Sequence, residues 1–383
     1  MAFDLAAIRA DLPLLASQVY LNAGGTGPLP VPVARAISDA TTAQLGMARM
    51  GPEGVELTEH VLGRLREATG AVVGGAGQDI AITANTTTGL DIAIWGIDWR
   101  AGDHIITTEL EHPGLSIPIA VAARRHGLTV TRLTRDDAEL ELETSVATHL
   151  STRTRLVAIS HVSWCTGAVL DVAGAARAAH GSGAIVVVDG AQSVGAIPVD
   201  APALGVDAYA FPAQKWLLGP EGLGALWIPA ATRERIDLTF CAYEAGTEHQ
   251  PDGRLTLYPE ARRYEISTAP LLLAHGWLAG LEWLAGIGWG EIHGRTRANQ
   301  QAARAALADL DGVAVLTPDG PQAGLVVFAP AGATPEDAFR SVMATGVCLR
   351  WLVAPPALRA SLGFFTSESD LHALRAGVRG LRS

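Results

Sequence analysis

The stretch VVVDGAQSVG (186–195), followed by DAYAFPAQKWLLGPEGLGALWI (207–228), decides how this chain is read. Each part carries a short β-branched or aromatic run without polar alternation, the pattern of a strand buried on both faces. The first run ends on Asp189 and a glycine turn, and the second leads into Lys215. At the C-terminal edge of a parallel sheet, strand ends converge on a ligand crevice, so this acid and this amine can meet there.

Working outward, runs of the same kind recur as IAIT (80–83), HIITT (104–108), TVTRL (129–133) and RLVAIS (155–160). With AIVVVD (184–189), AYAF (208–211) and GALWI (224–228) they make seven strands. The intervals 87–97 and 115–126 are long enough for crossover helices. The pattern predicts an α/β unit with a mainly parallel seven-stranded sheet and helices on both faces. From about Thr268 a Leu/Ala/Trp-rich helical region leads to VAVL (313–316), GLVVFA (324–329), VCLRW (347–351) and a terminal helix from Ser367, a smaller α+β domain. We therefore divide the chain into a Gly/Pro-rich N-terminal lead-in (1–30), a large ligand-binding domain (31–267), and a linking helix with a small C-terminal domain (268–383).

Composition narrows the classes. Of 383 residues, 49% are hydrophobic and 17% charged, which excludes wholesale disorder. The 28 basic and 39 acidic residues give a net charge of −11 with no basic run interleaved with aromatics, so nucleic acid is not an expected partner. The stretch 271–287 carries His275 and Glu282, which predicts a packed helix and no membrane span. The start, with Asp4 and no basic region before an apolar one, predicts no signal peptide and a cytoplasmic protein. Cys165, Cys241 and Cys348 lack CxxC spacing and fit reduced, buried thiols. No HxxxH or HxH pair supports a metal site.

Four segments carry chemistry. A strand-end carboxylate such as Asp189 can keep a pyridine nitrogen protonated while Lys215 forms an imine, the pairing an electron-sink cofactor needs. Alone, Asp189 also fits a turn residue and Lys215 a surface charge. In ITANTTTGLDIAIWGI (82–97) a strand runs into Thr86, Thr87 and Thr88 at a helix N-terminus, where free N–H groups favour a phosphate; an ordinary capping run is the alternative. In TELEHPG (108–114) His112 follows a strand end, where an imidazole can lie on a ring or simply be structural. In CLRWLVAPPALRASLGFFTSESDL (348–371) Arg350 and Arg359 flank a Pro-Pro turn, suited to gripping a carboxylate or to salt bridges.

Together these segments resemble the class V aminotransferase superfamily of fold-type I pyridoxal 5'-phosphate (PLP) enzymes, which includes cysteine desulfurases and isopenicillin N epimerase. WGxDW (95–99), SHxxWxTG (160–167), RYEIST (263–268) and PQAGLV (321–326) give a particular likeness to cystine carbon–sulfur lyases, over nearly all of 20–380. The resemblance implies that Lys215 is the Schiff-base lysine, Asp189 the pyridinium partner and His112 the group stacked on the ring. It implies Gln192 on the phenolic oxygen, Ala191 on the opposite face, and Thr86 and Thr87 on the phosphate. Thr268 would reach the other subunit's phosphate in a homodimer with shared active sites. Arg359, with Arg350 and Asn22, would hold the substrate carboxylate.

Two departures stand out. Where the family commonly has a hydroxyl and a His before the lysine, this chain has Pro212 and Gln214; one phosphate donor is lost, while the Gln214 amide can still donate. The interval WLVAPPAL, where desulfurases carry a nucleophilic Cys, contains none, and Cys348 precedes it. The expected activity is therefore a PLP-dependent β-elimination on cystine or an S-substituted cysteine, releasing a thiol or persulfide, pyruvate and ammonia. An aminotransferase, epimerase or decarboxylating deaminase is the rival within enzymes, and a non-catalytic binding protein on the same scaffold the rival outside them.

Overall fold

The computed structural model describes residues 3–242, 245–321 and 323–382. Gln322 of the PQAGLV motif lies outside the described residues. Seven strands form the main sheet: β1 (Ile80–Thr83), β2 (His104–Thr108), β3 (Thr129–Leu133), β4 (Thr154–Ser160), β5 (Ile185–Asp189), β6 (Ala208–Pro212) and β7 (Gly224–Trp227). Their order across the sheet is β1-β7-β6-β5-β4-β2-β3. The pairs from β3 through β6 are parallel, and β7 runs antiparallel to both its neighbours.

The apolar runs explain this layering. Successive residues point to opposite faces, so Ile106, Val157, Val186 and Val188 join one core while Ile105, Leu156, Ile185 and Val187 join the other. Helices Pro52–Val72 and Val172–His180 contribute to the first core, and helices Thr86–Trp95 and Pro113–His126 to the second. β3, at the sheet edge, is the least buried of the seven, with Thr129 and Arg132 exposed, whereas β4 exposes Arg155 alone. Helix Pro113–His126 shows how sequence sets the ends: His112 caps it, Pro113 opens it, and Gly127 closes it at φ 68°.

The small domain has the sheet order β8-β9-β11-β10, from β8 (Val313–Val315), β9 (Leu325–Pro330), β10 (Arg350–Leu352) and β11 (Ala357–Ser361). Two details differ from the expectation. VCLRW is not one strand: Val347–Cys348 pairs with Val19–Tyr20 of the lead-in, and β10 turns away to pair with β11. Strand β11, reading ALRAS, carries no β-branched run and becomes a strand through burial between its neighbours. The lead-in thus docks on the small domain. Helix Leu271–Ile287 places Ala274, Trp277, Leu281 and Leu284 in the large core. Among the described residues no single helix is long and apolar enough to cross a membrane.

Candidate active site

A cleft of about 220 Å³ opens at the C-terminal ends of the parallel strands. Its walls bring together Thr86, Thr87, His112, Asp189, Ala191, Gln192, Gln214, Lys215, Arg350 and Arg359. The residues from Thr86 to Lys215 meet because the strands running in one direction in the main sheet discharge at one edge, and Arg350 and Arg359 join them from the second sheet.

Asp189 ends β5, where its Oδ1 accepts the Ala191 N–H at 2.8 Å. Burial raises its pKa, against the opposing pull of Lys215 and that N–H. Lys215 sits in the loop after β6, folded back by Leu218 N–H to Lys215 O at 3.2 Å and Gly219 N–H to Ala213 O at 2.8 Å. Leu218 holds φ 52° in this loop, a conformation other side chains rarely adopt and here fixed by full burial. Burial lowers the Lys215 ammonium to about 8, Asp189 working against the shift and Arg359 and Arg350 adding to it. An amine so tuned is a usable nucleophile and base near neutral pH.

Two helix N-termini face the cleft. Asn85 caps the first, its Oδ1 accepting from Thr88 N–H at 3.0 Å and Thr88 Oγ1 at 3.3 Å, which draws Thr88 away and leaves Thr86 and Thr87 at the wall. His112 caps the second, its Nδ1 accepting Gly114 N–H at 3.0 Å, so its ring carries the proton on Nε2. Burial, and then the charges of Lys215, Arg350 and Arg359, hold its pKa down at about 4. A neutral imidazole lies against the cleft, its edge on Trp164 with centroids 5.0 Å apart.

Gln192 is fixed at both ends: its Nε2 donates to Gly24 O at 2.8 Å and its Oε1 accepts from Trp216 Nε1 at 3.0 Å. The second Nε2 hydrogen remains for a ligand. A Cβ at Gly24 would stand 2.8 Å from Gln192 Oε1 and 2.9 Å from Ser361 Oγ, so one of these side chains would have to shift. Arg359 is 1% exposed, and its Nη1 donates to Trp164 O at 3.0 Å. Its Nε and Nη2 have no partner among the described residues. Gln214 Oε1 is likewise buried and unpartnered, an acceptor open to a donor group. Pro212 ends β6 opposite Gly224, inside the sheet.

Two expected site residues lie outside this cleft. Asn22 bridges Ser361 and sits behind Gly25, its Oδ1 buried without a partner. Thr268 lines a separate cleft of about 690 Å³ with Met47, Met50, Val55 and Leu271. Sequence reasoning also passed over Glu111, Asn85, Gly24 and Trp164. Trp164 stood inside a quoted motif, but its role depends on a backbone carbonyl that sequence does not mark. Of the cysteines, Cys165 is buried, Cys348 half-buried and Cys241 exposed, correcting the expectation that all three are buried.

With that geometry in place, the profile of class V aminotransferases matches residues 19–374. The chain belongs to the class V aminotransferase family. Among similar proteins, isopenicillin N epimerase of Streptomyces clavuligerus is 29% identical, covering 97% of this chain and 97% of its own length. A probable cysteine desulfurase of Mycobacterium leprae is 32% identical over 82% of this chain and 78% of its own. Among solved structures, the cystine C–S lyase C-DES in complex with its reaction product cysteine persulfide has a TM-score of 0.91, 30% identity and coverage of 96% and 99%. A variant of C-DES with glycine covalently linked to its PLP cofactor has a TM-score of 0.92 and 30% identity, covering 97% of this chain and 98% of its own. The fold is that of this PLP-dependent class V group, an α/β architecture with a mainly parallel sheet. Its donor set fits PLP: a buried acid for the ring nitrogen, a lysine, a neutral imidazole for the ring face, and hydroxyls at a helix N-terminus for the phosphate.

Proposed function

We propose that this protein is a PLP-dependent carbon–sulfur β-lyase acting on cystine or an S-substituted cysteine, releasing a thiol or persulfide, pyruvate and ammonia. The observation that carries the reading is Arg359, wholly buried with two unpaired guanidinium nitrogens in the cleft that also holds Lys215 and Asp189. An unpaired buried guanidinium is costly unless a ligand carboxylate meets it, and its planar fork fits an α-carboxylate.

PLP, when bound, supplies an electron-withdrawing ring that stabilises negative charge at the α-carbon of an attached amino acid. The residues of the chain do the rest. Asp189 keeps a proton on the ring nitrogen. Thr86, Thr87 and the helix N-terminus hold the phosphate, with Gln214 in reach. His112 and Ala191 would lie against the ring, and the free Nε2 hydrogen of Gln192 would be available to its phenolic oxygen. Arg359, with Arg350 beside it, orients the α-carboxylate, and Lys215 as free amine takes the α-proton.

The turn between β10 and β11 contains no cysteine, and Cys348 does not line the cleft. Elimination needs no such nucleophile, whereas passing sulfur to the protein does. We further propose a homodimer in which Thr268 completes the partner's phosphate site; the apolar cleft around it and the exposed Met50, Val55 and Ile266 support that reading.

The test is product analysis. Holoenzyme incubated with cystine and with S-substituted cysteines is expected to form pyruvate and thiol or persulfide in step. Alanine as the sole carbon product would overturn the lyase reading in favour of desulfuration, and a racemised or transaminated substrate without pyruvate would overturn it in favour of the rival enzymes.

A further inference from the structure

Glu111 is used nowhere in the scheme above, yet it is a carboxylate 7% exposed beneath the cleft wall. Its Oε1 accepts from Thr108 Oγ1 at 2.6 Å and from Ser160 N–H at 3.2 Å, and its Oε2 accepts from Ser160 Oγ at 2.5 Å. Thr108 ends β2 and Ser160 ends β4, so one side chain ties together two strand ends. Ser160 is also the register partner of Asp189 across β4 and β5. Thr108 Oγ1 in turn accepts Leu110 N–H at 3.1 Å, and the Cys165 thiol donates to Leu110 O at 3.7 Å. The turn that leads into His112 is thereby tied to the end of β4 and, through Cys165, to the loop that carries Trp164.

We propose that Glu111 is a positioning residue, which sets the His112 ring against the cofactor by bolting its turn to Ser160, the strand-end neighbour of Asp189. An apolar side chain would fill the same buried volume without the desolvation cost of a carboxylate, but it would leave Ser160 and Thr108 unpaired and the turn free to pivot. Burial pushes the Glu111 carboxyl up to about 7, its hydrogen bonds from Ser160 and Thr108 pulling the other way and the charge of Asp189 adding to the rise. That cost is borne at the position next to His112, whose ring has two fixed contacts, the Gly114 N–H and an edge-to-face contact with Trp164. The geometry makes Glu111 the third point that defines where the ring lies.

The assignment rests on the PLP reading, and the experiment separates the two. Apo forms of wild type, Glu111→Gln and Glu111→Ala are titrated with PLP, following the dissociation constant and the induced circular dichroism of the bound cofactor, with the melting temperature of each apo form as the folding control. Glu111→Ala is expected to bind about tenfold more weakly or worse, a loss of roughly 1.4 kcal/mol, with a diminished dichroic band. Glu111→Gln, which keeps an acceptor for Thr108 and Ser160, is expected to restore most of both. An unchanged constant and band in Glu111→Ala would overturn the assignment, as would a Gln variant as impaired as the Ala variant. If Glu111→Ala does not fold, Thr108→Val and Ser160→Ala each remove one anchor, and an unchanged band in both would overturn it equally. Wild type that binds no PLP would instead overturn the cofactor reading, and this assignment with it.

Discussion

Arg350 and Arg359 stand directly opposite each other across the antiparallel pair β10–β11, two like charges on neighbouring strands. Such a pair is destabilising by itself. Arg350 reaches solvent while Arg359 is buried, and burial together with the Arg350 charge lowers the Arg359 pKa to about 9. An anion held between them would make the arrangement favourable, which is the role proposed above for the substrate carboxylate.

Arg359→Ala removes a charge-assisted contact at a desolvated site, a loss of about 2 to 5 kcal/mol in the reacting complex. At about 1.4 kcal/mol per tenfold, kcat/KM is expected to fall by more than about tenfold. Arg359→Lys should recover little, because an ammonium lacks the planar fork. The visible absorbance of the bound cofactor is expected to survive both changes. Near-normal turnover in Arg359→Ala on every accepted amino acid would transfer the role to Arg350.

Lys215→Ala is expected to be colourless and inactive, since the point of attachment and the base are lost together. Borohydride treatment of the yellow wild-type protein should fix the cofactor on the peptide that contains Lys215. Labelling on any other peptide would refute the assignment.

The pH dependence follows from Lys215. Its pKa is lowered from 10.5 to about 8, so above that pH the amine is free and below it the amine is protonated and unreactive. The rate at which apo-protein captures PLP should therefore level off above pH 8 and fall about tenfold per pH unit below it. His112 is held neutral down to about pH 4 and adds no step in the range 5 to 9. A stopped-flow series of absorbance traces checks this, and a rate still climbing at pH 10 would mean an ordinary lysine.

Thr268→Ala should weaken cofactor retention with little effect on turnover at saturating PLP, since in the proposed dimer it would remove one phosphate donor supplied in trans. Sedimentation of wild type is expected to show a dimer. A fully active monomer would exclude the shared-site arrangement.

The sequence alone determined the seven strands of the main sheet, the placement of Asp189, Lys215 and His112 at strand ends, and the threonines at a helix start. Each is written in local signals: apolar runs of strand length, turn glycines, capping residues and helix-opening prolines. Tertiary structure decided what depends on distant neighbours. Strand β11 exists because β9 and β10 flank it, the Trp164 carbonyl meets Arg359, and the Glu111 carboxylate meets Ser160, 49 residues on. The lead-in pairs with the small domain through backbone bonds that any residues could make. The local pattern names the elements because backbone propensity and side-chain periodicity act over a few residues. The site's electrostatics need three dimensions, because burial and the charges that shift Lys215, His112 and Arg359 come from segments far apart in the chain.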